Sequence, residues 1–131
     1  MIKILLDCLG LDKGYKEFVK AGVESVNSDP NLKIVFVGKI EEIESELKHY
    51  KYNIAQIEII DARDEISCND VPTKAIREKV DSSLVVGLNN LKDGDYDALI
   101  SGGSTGAVLT GGFLKIGRIK GVSRPALCPM L

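Results

Sequence analysis

The residues of this 131-residue chain best equipped for chemistry form one run, Ser101-Gly102-Gly103-Ser104-Thr105-Gly106-Ala107. Glycines allow a sharp turn and a close approach of backbone to ligand. Where a helix then starts, free backbone N–H groups and the positive end of its dipole favour an anion. The Ser and Thr hydroxyls add two donors. The run is neither a Walker loop nor a GxGxxG fingerprint, and an ordinary strand-to-helix turn with a hydroxyl cap reads the same way. A second run, Asp7-Cys8-Leu9-Gly10-Leu11-Asp12, offers a carboxylate, Asp7, that can orient a ligand, bind a cation or stabilise a turn. Basic residues complete the set. Lys74 and Arg77 are one helical turn apart, and Arg118, Lys120 and Arg124 follow the Gly-rich run. Taken singly each reads as a solvated charge, but an arginine beside a helix start grips phosphate bidentately. Only their coincidence with the turn lifts them above that reading.

Other chemistries are excluded or disfavoured. His49 is the only histidine and lies among charges, so it reads as a surface residue and leaves no Ser-His-Asp triad. Cys8, Cys68 and Cys128 form no CxxC pair and are odd in number, which implies reduced thiols in a cytoplasmic protein. With no histidine to activate it, Cys8 reads as a small apolar strand residue rather than a nucleophile. The acids from Glu41 to Glu46 are a solvated helix face without metal-ligand logic, so no metal and no cofactor is expected. A net charge of -2 gives no field for nucleic acid or an anionic membrane. The apolar run at the N-terminus is too short for a signal peptide, and no stretch approaches the roughly 20 apolar residues of a membrane span.

These groups need a scaffold, and the patterning supplies one. Ile2 to Asp7, Leu32 to Val37, Ile57 to Ile60 and Ala98 to Ile100 are short apolar runs expected as buried strands. Between them, Tyr15, Phe18, Val19, Gly22, Val23 and Val26 repeat at helical spacing behind a cap at Asp12. Ile40, Ile43, Leu47 and Tyr50 repeat likewise. Pro72 opens a helix through Lys79, and Asp81 or Ser82 caps another with a stripe of Leu84, Val85, Leu88 and Leu91. Thr105 to about Ile116 is apolar on most sides, as in a helix buried within a larger body. Ala126-Leu127-Cys128 is expected as a fifth strand. Strands alternating with helices predict a single α/β domain over residues 1–131, with a mostly parallel sheet between helix layers. Because the chain ends on that fifth strand, either residues beyond 131 are expected to be missing, making this the truncated N-terminal part of a longer chain, or another chain is expected to supply the cover.

The blocks Val71-Pro72-Thr73-Lys74-Ala75-Ile76-Arg77, Asp81-Ser82-Ser83, Ser101 to Ala107, Gly117-Arg118 and Arg124-Pro125-Ala126-Leu127 together resemble one family in order and spacing. It is the bacterial phosphate acyltransferases of phospholipid synthesis, the PlsX family. The resemblance covers essentially the whole chain. It implies a Rossmann-like three-layer α/β/α fold, akin to isopropylmalate dehydrogenases and phosphotransacetylases. It also implies conversion of acyl-acyl carrier protein and inorganic phosphate to acyl phosphate. Asp7, Gly10 and Asp12 match the family's Asp-x-Met-Gly-Gly-Asp motif, whereas Leu9 replaces its methionine and Leu11 its second glycine. Ser104 stands where the family usually has Asn.

On this reading Asp7, Lys74 and Arg77 are catalytic. Ser82, Ser83, Ser101, Gly103, Ser104, Thr105, Gly106, Arg118 and Arg124 bind phosphate or substrate. The expected partners are phosphate, acyl-acyl carrier protein and a second copy in a homodimer, with membrane contact only through the absent part. The 131-residue piece by itself is expected to be inactive. Two other readings stand beside this one: a non-catalytic phosphate- or acyl-phosphate-binding module, and a related acetyl-phosphate-forming enzyme.

Overall fold

A computed structural model describes residues 1–10 and 14–129, so Leu11 and the expected cap Asp12 lie outside the described residues. Four strands, β1 (Ile2–Asp7), β2 (Leu32–Gly38), β3 (Ile57–Asp61) and β4 (Ala98–Ser101), form one sheet in the order β3-β2-β1-β4. Every pairing is parallel, with Ile4 opposite Ile34 on one side and Ala98 on the other. The apolar runs of β1 and β2 explain their central place, since parallel strands are covered on both faces. The connections are helical: α1 (Tyr15–Ser28), α2 (Ile40–Leu47), α3 (Pro72–Glu78), α4 (Ser83–Asp93) and α5 (Thr105–Gly111). The architecture is α/β with helices flanking an all-parallel sheet, as a Rossmann-like three-layer fold requires.

Alternation along the strands divides the core. Leu6, Ile34 and Phe36 point to one face, where Val19, Val23 and Val26 of α1 and Ile43 and Leu47 of α2 close over them. Gly22 lets α1 sit down on the sheet, because a Cβ there would lie 2.5 Å from Phe36 Cζ. Leu5, Val35 and Val37 point to the other face, towards Val86, Leu91 and Leu99. Behind α4, helices α3 and α5 pack through Ala75, Ile76, Leu84, Val85, Leu88 and Ala107.

Two expectations fail at the C-terminal side. Ala126, Leu127 and Cys128 form no strand and are exposed. Pro125 and Pro129 bracket these three residues, and prolines cannot donate to a ladder, so the run is too short to pair. The helix from Thr105 is α-helical only to Gly111 and continues as a π-helical turn over Gly112–Ile116. The adjacent glycines Gly111 and Gly112 weaken the α ladder there. In this chain its apolar residues Phe113, Leu114 and Ile116 are all at least 40% exposed. No helix among the described residues is long and apolar enough to cross a membrane.

Candidate functional site

Strand order reverses between β1 and β4, because β2 and β3 lie on one side of β1 and β4 on the other. In open parallel sheets ligands bind beyond the carboxyl ends of strands at such a point. The last residues of these two strands, Asp7 and Ser101, are register partners there. Asp7 is 2% exposed. Its Oδ2 accepts the Ser101 hydroxyl at 2.7 Å, and its Oδ1 accepts the Ser83 hydroxyl and, at 3.3 Å, the Leu9 N–H. Burial pushes the Asp7 carboxyl above the usual aspartate range, and the hydrogen bonds from Ser83, Ser101 and Leu9 offset part of that rise. Ser101 Oγ in turn accepts the Gly103 N–H at 3.2 Å. A directed chain thus runs from a turn amide through a hydroxyl to a buried carboxylate. Each serine has one hydroxyl proton, so Ser83 and Ser101 spend theirs inward.

The two strand-end turns touch. A Cβ at Gly103 would lie 3.5 Å from Ser101 Oγ and 3.6 Å from the Gly10 carbonyl oxygen. Gly10 has a φ of +71°, and a Cβ there would stand 2.8 Å from the Ile66 carbonyl oxygen, so only glycine fits. Beyond Gly103, Ser104 caps α5: its Oγ accepts the Ala107 N–H at 3.3 Å and its carbonyl the Val108 N–H at 3.0 Å. The N–H groups of Ser104, Thr105 and Gly106 have no acceptor among the described residues. Thr105 and Gly106 are exposed and Ser104 is half-buried. The Ser104 hydroxyl accepts from the backbone and keeps its own proton, and Thr105 adds a second hydroxyl. The outer rim of the turn therefore presents donors.

Helix α4 is fastened beneath. Ser82 is fully buried and caps it, its Oγ accepting the Val85 N–H at 3.2 Å. The Ser83 N–H donates to the Asp64 carbonyl at 3.1 Å, and the Arg63 and Asp64 N–H groups both donate to the Asp81 carbonyl at 3.0 Å. The start of α3 also abuts the turn, since a Cβ at Gly106 would lie 3.1 Å from Pro72 Cγ.

The basic residues make no hydrogen bond to this cluster among the described residues. Lys74 and Arg77 are exposed on α3, and Lys74 lines a shallow groove with Asn69, Asp70, Glu78 and Lys79. Arg118 turns back on its own segment, donating to the Ser123 carbonyl at 2.6 Å with its guanidinium 5.5 Å from the centre of the Phe113 ring. Arg124 lines a different groove, with Thr73, Leu109 and Thr110. None of the four has a hydrogen bond to Ser101–Gly106 among the described residues. The structure brings together Asp7, Ser83, Ser101 and Gly103 directly, and Ser104, Thr105 and Gly106 as the rim above them. Cys8 is inert: its buried thiol donates to the Leu6 carbonyl at 3.4 Å, and burial pushes it up to about 12. His49 is exposed just past the end of α2, away from β4.

Sequence reasoning missed the bond between Ser83 and Asp7, 76 positions apart. A signal was present in Ser82-Ser83, because one hydroxyl suffices to cap a helix and the second needs another partner.

A parallel α/β protein with a donor-lined turn at its switch point is a class with many members, and comparison narrows it. A family profile described as fatty acid synthesis protein matches residues 2–131, and the chain belongs to that family. A phosphate acyltransferase of Clostridium tetani is 45% identical over 130 residues, covering 99% of this chain and 39% of the relative. One from Clostridium acetobutylicum is 44% identical over 128 residues, covering 98% of this chain and 39% of the relative. One from Dictyoglomus turgidum is 40% identical over 130 residues, covering 99% and 38% respectively. The chain therefore spans less than two-fifths of the length of these relatives.

Proposed function

We propose that this chain carries the phosphate-holding part of an acyltransferase that makes acyl phosphate and free acyl carrier protein from acyl-acyl carrier protein and inorganic phosphate. The observation that carries the reading is the rim of the turn, where three successive N–H groups, of Ser104, Thr105 and Gly106, have no acceptor among the described residues. Relatives named phosphate acyltransferase supply the class of reaction.

The chemistry suits the residues. A phosphate oxygen forms a bond to the thioester carbonyl carbon, the carbon–sulfur bond breaks, and the leaving thiolate takes up the proton that phosphate gives up. No enzyme nucleophile is required; the protein must hold phosphate beside the carbonyl and stabilise the tetrahedral oxyanion. The rim amides and the hydroxyls of Ser104 and Thr105 hold phosphate. Lys74, Arg77, Arg118 and Arg124 supply positive charge from exposed, extendable side chains, Arg118 after releasing the Ser123 carbonyl. Ser82 and Ser83 serve from behind by fixing α4.

The test joins this chain to the portion of the Clostridium tetani relative that has no counterpart here, supplies acyl-acyl carrier protein and phosphate, and traps product with hydroxylamine. Acyl hydroxamate is expected from the fusion and not from the 131-residue chain alone. A folded fusion that makes none overturns the reading.

A further inference from the structure

Asp7 has the residue type of a general base or a cation ligand, but its geometry fits neither. Both carboxylate oxygens are occupied from within the fold, by Ser83 and the Leu9 N–H on Oδ1 and by Ser101 on Oδ2, and the residue is 2% exposed. To touch substrate, this carboxylate would have to leave a buried position in which both oxygens already accept hydrogen bonds. It also lies beneath an anion-facing rim, where a negative charge in contact with phosphate would oppose binding. Something other than contact must account for it.

We propose that Asp7 and Ser101 are positioning residues of the phosphate turn: Asp7 ends a one-way hydrogen-bond chain, Gly103 N–H to Ser101 Oγ–H to Asp7, that fixes the turn with its rim amides outward. The inference rests on the reading of the turn as a phosphate site. A hydroxyl can both accept and donate, whereas an ionised carboxylate can only accept. Asp7 therefore forces the Ser101 proton inward, which leaves a Ser101 lone pair for the Gly103 N–H at 3.2 Å. Gly103 packs against the Gly10 carbonyl, and the N–H groups of the next three residues have no acceptor among the described residues. Ser83 holds the other oxygen, so Asp7 cannot swing towards the ligand. Ser101 and Ser83 are then supports of the site and not phosphate donors.

Two readings of Ser101 give opposite results when Asp7 is replaced. If Ser101 gave its proton to phosphate, removing Asp7 would free that proton and delete a nearby negative charge, and phosphate would bind more tightly. If Ser101 positions the turn, Asp7→Ala loosens it and binding weakens despite the lost charge. Calorimetric titration of the wild-type chain and variants with inorganic phosphate distinguishes them. Loss of hydrogen bonds to a charged group corresponds to weakening by about ten-fold or more for Asp7→Ala. Ser101→Val and Ser101→Thr have the same shape and differ by one hydroxyl, so Val should weaken binding by about ten-fold and Thr should restore it to within about three-fold. Thermal melts identify folded variants, and Ser101→Ala replaces Ser101→Val if that variant does not fold. Tighter binding by Asp7→Ala, or equal binding by the Val and Thr variants, overturns this proposal alone. A wild-type chain that binds no phosphate overturns the site reading and this proposal with it.

Discussion

The two faces of the sheet are built differently. On the face covered by α1 and α2, nine buried side chains from Leu6 to Leu47 form one apolar cluster, and Phe36 has no exposure at all. On the face covered by α4, the core divides into two smaller clusters. A polar chain from Gly103 through Ser101 to Asp7 and Ser83 reaches in at the carboxyl ends of the strands. Phe113, in the π-helical turn that packs on α4, is 40% exposed. The difference sets a wholly apolar face against one that encloses a hydrogen-bonded polar chain. The first face holds the fold together without reference to any ligand, and the second spends part of its interior fixing one turn.

Substitutions sharpen or break that division. The largest effect should come from Phe36→Ala, which removes a fully buried ring and should lower stability by about 3–5 kcal/mol in urea unfolding. The loss should be the same with and without phosphate; a ligand-dependent loss would undo the separation.

Next, Gly10→Ala combines a left-handed φ of +71° with a 2.8 Å approach to the Ile66 carbonyl, and should cost about 1–3 kcal/mol. Gly14, at φ +79° with nothing within 4 Å of a Cβ, isolates the backbone part of that cost. The gap between the two alanine variants measures the contact, and equal losses would mean the contact is relieved freely.

A smaller loss, about 1 kcal/mol, is expected from Ser104→Ala, which removes the cap on α5. This variant should also bind phosphate more weakly. A stability loss with unchanged binding would remove Ser104 from the rim.

The smallest effect is in pH dependence, and the two kinds of carboxyl should oppose one another. Asp7 has its pKa raised by burial, so its ionisation costs the fold stability. That cost is absent below the ordinary aspartate range and grows as pH rises through the raised value. Asp61 and Glu41 are held low by hydrogen bonds from Arg63, and Asp70 by Lys79. Their stabilisation is present above the ordinary carboxylate range and is lost as pH falls through the lowered values. In urea titrations the stability of Asp7→Asn relative to wild type should therefore increase as pH rises through the acidic range. A difference that does not vary with pH would mean that Asp7 is not the group burial has perturbed.

Much of the scaffold could be read from the chain because burial writes a period into it. The apolar runs of β1 and β2 marked buried strands of a parallel sheet, and the stripe Val19, Val23 and Val26 marked an amphipathic helix between them. Pro72 marked the start of α3, and Ser82 capped α4. The failures lie where periodicity stops carrying information. Ala126–Cys128 has strand-like composition, but its flanking prolines deny it a ladder. An α-helix and a π-helical turn share the same apolar residues, so the change at Gly112 was hidden. At the site, residue types were legible and directions were not. The Ser83 hydroxyl donates to Asp7 and the Arg118 guanidinium to the Ser123 carbonyl, partners that residue type and spacing do not reveal. A hydroxyl or guanidinium chooses among partners that only the folded chain brings near.

The central claim is that the rim of the Ser101–Ala107 turn takes phosphate. Its most direct test is an amide NMR titration of the nitrogen-labelled chain with inorganic phosphate. Saturable shifts centred on Ser104, Thr105 and Gly106, with Gly103 little changed because its N–H is already held by Ser101, are the expected result. Shifts confined to the segments carrying Lys74, Arg77, Arg118 and Arg124, or no saturable shift at all, would contradict it.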